Sequence, residues 1–271
     1  MSRPNILLIV TDQEYAHQPY PPGFSLPNRE KLRQRGISFD NYQVTTTLCT
    51  PSRACMYTGQ HTPLTGMWDN DNMSYISSLS PDIPTLGHML REAGYVTAYK
   101  GKWHLSQQSY DHTSADEMEP YGFADFQTWG STFGLQTEGS HLDRRIGQDA
   151  ADWILENGSV NDQEQPWFLA VNFINPHDIM FYNMGEEHEA TMLNMVAAAG
   201  TDLYQQEWDV TLPASFGENS EEHPAGVEEF RQVNGRFQGR VPIENTKDWQ
   251  HHYDAMIEFA KHYHSQQLIL S

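Results

Sequence analysis

Cys49, Pro51, Ser52 and Arg53 fall within five positions of a chain that has only two cysteines. Pro51 suits the first turn of a helix, which puts Cys49 and its neighbours at a helix N-terminus, where free backbone N–H groups favour negative charge. Three other clusters carry chemically capable side chains. Asp12 and Gln13 end an apolar run, Lys100, Lys102 and His104 end a second, and Asn175, His177 and Asp178 end a third. A cysteine or a group made from it can attack, fixed cations can neutralise an anion, and imidazoles can move protons. Together they suit nucleophilic attack at an anionic centre.

The elements that must position these groups follow from the pattern. "PNILLIVTDQ" reads as a buried strand from Asn5 to Val10, and in open α/β sheets ligands gather beyond the carboxyl ends of strands. "LPNREKLRQRG" reads as a short helix stopped by Gly36, and "ISFDNYQV" as the second strand, leading into the Cys49 segment. Leu86, Met89, Leu90 and Ala93 recur at helical spacing before Gly94, so this helix is expected to pack on the sheet. "YVTAYKGKWH" follows as a strand, then a helix around Ile146 to Leu155, then the apolar strand in "PWFLAVNFINPHD". Four strand ends would thus deliver the acids, the cysteine, the lysines and the histidines. Alternating strands and helices predict one layered α/β domain over residues 1–271. Residues 200–248, rich in Gly, Glu, Asn and Pro, read as a long surface excursion or rim loop. From Trp249 a helical stripe resumes with Tyr253, Met256, Ala260 and Tyr263.

Composition limits the partners. The 16 Lys and Arg against 36 Asp and Glu give a net charge of −20, a field that repels nucleic acid and anionic membrane. An anionic substrate therefore needs concentrated local positive charge. The longest early apolar run, Ile6 to Val10, is too short for a signal-peptide core or a membrane span, so a cytoplasmic location is expected. Cys49 and Cys55 are six apart and belong to no CxxC set, which argues against disulfide scaffolding and a zinc site there. Cys55 reads as structural. The histidines of "HHYDAMIEFAKHYH" lack the i, i+4 pairing of a zinc helix and read as a solvated face.

"CTPSRACMYTG" resembles the signature of the sulfatase family, Cys-x-Pro-Ser-Arg followed by Thr-Gly, and "GYVTAYKGKWHL" resembles the family's second signature. "PNILLIVTDQ" and "NFINPHD" match in kind and order, so four blocks spread over residues 4–178 carry the resemblance. It implies an alkaline-phosphatase-like α/β fold with a mostly parallel central sheet flanked by helices. It also implies that a separate formylglycine-generating enzyme oxidises Cys49 to formylglycine. One hydroxyl of the hydrated aldehyde then attacks the sulfur of a small-molecule sulfate ester, and the other later loses its proton and expels sulfate. By the same resemblance Arg53 holds the hydrate near a metal, Lys102 binds sulfate and the modified residue, and His104 assists the hydroxyl that regenerates the aldehyde. His177 contacts sulfate and assists the leaving group. Asp12, Gln13 and the modified Cys49 are the implied metal ligands; calcium is the expected ion, with magnesium or manganese as alternatives. Gln13 departs from the family's common Asp-Asp pair, as do choline-sulfatase-like and phosphonate-hydrolase-like members. Asn70, in "MWDNDNM", falls where choline-sulfatase-like members place a sulfate-contacting asparagine.

A phosphatase in which cysteine itself attacks phosphate needs arginine six positions after it; Cys55 stands there, which excludes that reading. The late Asp-His or Asp-Asn pair that completes the family's metal site is not found. The sole Asp-His dipeptide, Asp111-His112, follows no apolar strand, and the resemblance fades after about Phe259. The sequence therefore reads as a domain cut short at its C-terminus, without the smaller C-terminal subdomain. Three functions follow: a sulfuric ester hydrolase; a phosphonate monoester or phosphodiester hydrolase with the same apparatus; and a noncatalytic fragment. The alcohol is not legible, although Trp68 and Trp208 could stack on a sugar or aryl ring.

Overall fold

A computed structural model of the chain describes residues 3–14, 26–106, 116–127, 138–158, 165–177, 224–227 and 229. Most of the 200–248 excursion, the helix expected from Trp249, and Asp111, His112, Asp178 and Trp208 lie outside the described residues. Among those described, four parallel strands form one sheet in the order β1-β4-β2-β3: β1 (Ile6–Asp12), β2 (Val96–Gly101), β3 (Ala124–Gln127) and β4 (Trp167–Pro176). The helices between them are α1 (Pro27–Arg35), α2 (Cys49–Thr58), the single turn α3 (Thr62–Thr65), α4 (Leu86–Glu92) and α5 (Glu138–Asn157). The parallel α/β architecture expected from the alternating pattern is present.

β4 shows why the sheet lies in the middle. Its side chains alternate between two cores: Phe168 and Ala170 join one cluster, and Leu169, Val171 and Phe173 join the other. A parallel strand covered on both faces reads as a continuous apolar run, as "WFLAVNFI" does. On the first face Tyr57 of α2, Tyr99, Trp103 and Phe123 pack on one another with ring centroids 5.2 to 6.2 Å apart in tilted or edge-on pairs. On the other, Ile146, Ala150 and Trp153 bring α5 against Ala98, Leu169 and Val171. The aromatic group fixes α2, and with it Cys49, over the sheet.

Three expectations need correction. Residues 37–44 form no strand; Ile37, Phe39, Tyr42 and Val44 are exposed. A strand persists only where a neighbour completes its ladder, and no described strand lies beside this segment. Consequently three strand ends, not four, feed the site, and Cys49 arrives from an irregular segment. The last is Met89, which was expected to face the sheet with Leu86 and Leu90 but is 43% exposed. A four-residue strand, β3, went unseen because so short a segment carries too little alternation to stand out.

Candidate active site

Asp12 is the last residue of β1 and is buried. Its Oδ2 lies 2.7 Å from Lys102 Nζ and 3.1 Å from Arg53 Nη2, and its Oδ1 accepts from Cys49 Sγ at 3.4 Å. Three side chains, from Cys49, Arg53 and Lys102, thus share the one Asp12 carboxylate. Burial alone pushes the Asp12 carboxyl up, but Lys102 and Arg53, with His177 acting in the same direction, overcome it and hold the group well below the carboxylate range. Burial likewise works against the Arg53 charge, and Asp12 outweighs it. Cys49 is half-buried, and burial together with the Asp12 charge pushes its thiol up, against the pull of Lys102 and Arg53. An unmodified Cys49 is therefore a neutral thiol, a weak nucleophile.

Local sequence explains each placement. Gly101 turns the chain out of β2 at φ 89°, and a Cβ there would lie 2.0 Å from the Asn172 carbonyl oxygen, so only glycine lets β2 approach β4 this closely. Lys102 N–H donates to that same carbonyl at 2.9 Å, which aims the lysine at Asp12. Arg53, one helical turn beyond Cys49, donates through Nη1 to the Lys102 carbonyl at 2.8 Å and to Asn172 Oδ1 at 3.2 Å. Tyr57 donates its hydroxyl to Asn172 Oδ1 at 2.8 Å. At the end of β4, Asp143 of α5 accepts from the Ile174 and Asn175 N–H groups at 2.7 and 2.9 Å, just before the cis Asn175–Pro176 bond and the buried His177.

The N-terminus of α2 is closed by a neighbouring loop. Asn70 Oδ1 accepts from the Thr50 N–H at 3.1 Å, one of the first-turn donors with no partner inside the helix. His104, at φ 57°, is buried and its Nε2 lies 3.1 Å from Oδ1 of the fully buried Asp71. Burial lowers the affinity of the His104 ring for a second proton, with Lys102 and Arg53 adding to it and Asp71 opposing.

Cys49, Arg53, Lys102 and Asp12 are therefore brought into direct contact as one cluster. His177 and His104 are buried around it, and Asn70 caps the helix that carries the cysteine. Gln13 follows Asp12 at φ 60° with an exposed side chain. Sequence reasoning missed Asp71, Asn172, Tyr57 and Thr50. Asn172 had a signal, an amide inside an otherwise apolar run, since a buried polar side chain there must have partners. Asp71 had none: it lies in a polar loop without periodicity.

A hard divalent cation takes six to eight oxygens if it is calcium, and near-octahedral oxygens if magnesium. The cluster offers one carboxylate, Asp12, already shared by two cations, while Asp71 faces His104. Among the described residues no group of three or more His, Cys, Asp or Glu side chains is placed to hold a metal. The described residues alone do not fit the cation implied by the motifs.

Known proteins resemble this chain in sequence and in fold. The Sulfatase family matches residues 4–207. An N-acetylglucosamine-6-O-sulfatase of Bacteroides thetaiotaomicron is 32% identical over 198 residues, covering 70% of this chain and 32% of the relative. A choline-sulfatase of Rhizobium meliloti is 31% identical over 204 residues, covering 65% and 39%. Among solved structures, that of a 2-O GAG sulfatase superposes with a TM-score of 0.66 at 21% identity, covering 97% of this chain and 52% of that one. The chain thus spans about half or less of the length of these proteins. Asp12, Cys49, Arg53, Lys102 and His177 all lie within the matched residues 4–207, and the chain belongs to the sulfatase family.

Proposed function

We propose that this chain carries the nucleophile side of a sulfuric ester hydrolase, acting on a small-molecule sulfate ester after a formylglycine-generating enzyme has converted Cys49. The observation that carries the reading is the placement of Cys49 at the N-terminus of α2, with Arg53 and Lys102 gathered on the carboxylate it contacts. A thiol held neutral makes a poor nucleophile; the hydrated formyl group supplies one hydroxyl to attack sulfur and a second whose deprotonation releases sulfate. Lys102, held against Asp12, neutralises the sulfate oxygens without reorganising, and Arg53, fixed through Asn172 and Asp12, holds the hydrated aldehyde in place. His177 gives a proton to the leaving alcohol oxygen, and His104 takes one from the hydroxyl that restores the aldehyde. Calcium remains the favoured ion, and Asp12, Gln13 and the modified Cys49 would supply part of its oxygen shell.

The naming of a relative as an N-acetylglucosamine-6-O-sulfatase supports a sugar sulfate as substrate. So does an exposed aromatic wall two residues from Asn70: Trp68 and Tyr75 stack with centroids 5.1 Å apart at 16°. The test is to coexpress the chain with a formylglycine-generating enzyme and measure its intact mass. Release of sulfate from N-acetylglucosamine-6-sulfate and an aryl sulfate is then compared with cleavage of an aryl phosphonate ester. Conversion of the Cys49 CH2–SH group to an aldehyde, with loss of sulfur and a pair of hydrogens and gain of an oxygen, is expected, with sulfate release abolished in Cys49→Ala. Turnover unchanged by that substitution refutes the reading, and faster phosphonate cleavage replaces it with the phosphonate hydrolase alternative.

A further inference from the structure

Asp71 is fully buried, and burying a carboxylate is costly unless it is paired. The side chain it meets is His104, Oδ1 to Nε2 at 3.1 Å. The two residues are also tied through their backbones to one hydroxyl. The Asp71 N–H donates to Thr50 Oγ1 at 3.3 Å, and Thr50 Oγ1 donates to the His104 carbonyl at 2.8 Å. A hydroxyl has one proton and two lone pairs, so it can make both bonds at once. Thr50 is the residue after Cys49, and its own N–H is held by Asn70. Loop 69–71, the N-terminus of α2 and the turn after β2 are therefore locked together around the nucleophile position.

His104 sits at φ 57°, a left-handed conformation that a non-glycine residue keeps only where its surroundings impose it. The Thr50 bond to its carbonyl and the Asp71 contact to its ring impose it from both ends. A carboxylate oxygen is repelled by a nitrogen lone pair and attracted by an N–H, so an approach of 3.1 Å favours the ring proton on Nε2. A neutral imidazole has one such proton. The other nitrogen, Nδ1, is then the one with a lone pair.

We infer that Asp71 is a positioning residue for His104, fixing its ring in the Nε2–H tautomer and at one angle, with Nδ1 as the proton-accepting nitrogen. This rests on the hydrolase reading only for what His104 then does. Asp71 touches neither Cys49 nor the Asp12 cluster in the contacts described above; it acts through the imidazole. A merely structural Asp71 would stabilise the loop without setting the protonated nitrogen.

The test is nitrogen-15 NMR of the histidine rings in the full 271-residue chain, beside thermal unfolding and turnover of the formylglycine-bearing protein. In the wild type, His104 is expected to be protonated at Nε2. In Asp71→Ala the tautomer reverses or averages, kcat falls roughly 10- to 100-fold and KM stays within about twofold. In Asp71→Asn an amide oxygen can still accept the Nε2 proton, so the tautomer and most of kcat return. A wild-type His104 protonated at Nδ1 overturns the inference, and needs no variant that must fold. So does a folded Asp71→Ala chain whose tautomer is unchanged. A wild-type chain that releases no sulfate, yet loses the Nε2–H tautomer in Asp71→Ala, refutes the hydrolase reading and supports the positioning role. The hydrolase reading survives alone if sulfate is released and the tautomer ignores Asp71.

Discussion

Lys102→Met tests the charge cluster directly, because it keeps the stem and removes the ammonium that lies 2.7 Å from Asp12 Oδ2. Both side chains are almost wholly buried, 2% and 6% exposed, so solvent screens little of the interaction. Removing one partner of a buried pair typically costs about 3 to 5 kcal/mol; Arg53 still faces Asp12 at 3.1 Å, so the lower end, about 3 kcal/mol, is expected. For a chain of this size that is a fall in Tm of roughly 6 to 12 °C. The sign of the pH dependence follows from Asp12, whose folded pKa is depressed below its unfolded value of about 3.9. Such a group contributes stability that is complete above about pH 4 and is lost as pH falls through the folded value. The penalty of Lys102→Met should therefore be full at pH 7 and shrink below about pH 4. Denaturant unfolding at several pH values, with Asp12→Asn and the double variant completing a cycle, measures it. The double variant should be less destabilised than the sum of the singles, because it leaves no unpaired carboxylate. Equal midpoints for wild type and Lys102→Met at pH 7, or a gap that is the same at pH 3 and pH 7, would refute this account of the cluster.

Two further outcomes follow from the same geometry. Tyr57→Phe removes a 2.8 Å hydrogen bond to Asn172 but leaves Arg53 on that oxygen; it is expected to cost about 1 kcal/mol, roughly 2 to 4 °C in Tm, with only a small loss of kcat. An unchanged Tm and a large loss of kcat would mean that the hydroxyl acts in the reaction instead. Trp68→Ala removes an exposed aromatic face and should leave Tm nearly unchanged. It should raise KM for a sugar sulfate roughly 2- to 10-fold, as expected for a lost stacking contact, and leave KM for inorganic-like small sulfate esters alone.

What the sequence disclosed depended on whether a residue's role was local. The apolar run of β4 and the Gly-Lys-x-His sequence after β2 could be read because burial on both faces and a close strand crossing leave marks in the residues themselves. Residues 37–44 carry the apolar content of a strand, yet a strand is a property of two segments, and the second is not beside them among the described residues. Asp71 was illegible for a related reason. Its meaning lies in His104, thirty-three positions away, and no local pattern records that pairing. Asn70 gives the intermediate case: its position next to the site was foreseen, whereas its contact with the first turn of α2 required coordinates.

The global charge of −20 looks unsuited to the anionic substrate of the proposed reaction, and the cluster concentrates positive charge locally. Arg53 and Lys102 are buried on one carboxylate, so two cations face one anion within the cluster before any substrate arrives. The positive end of the α2 dipole adds to the positive side. Because this charge is desolvated, its field is far less screened than that of the acidic surface, whose effect falls off within about a Debye length of 8 Å at physiological salt. Asp12 is thus the counter-charge that the two buried cations share. Without it, Arg53 and Lys102 would be buried side by side with no anion between them.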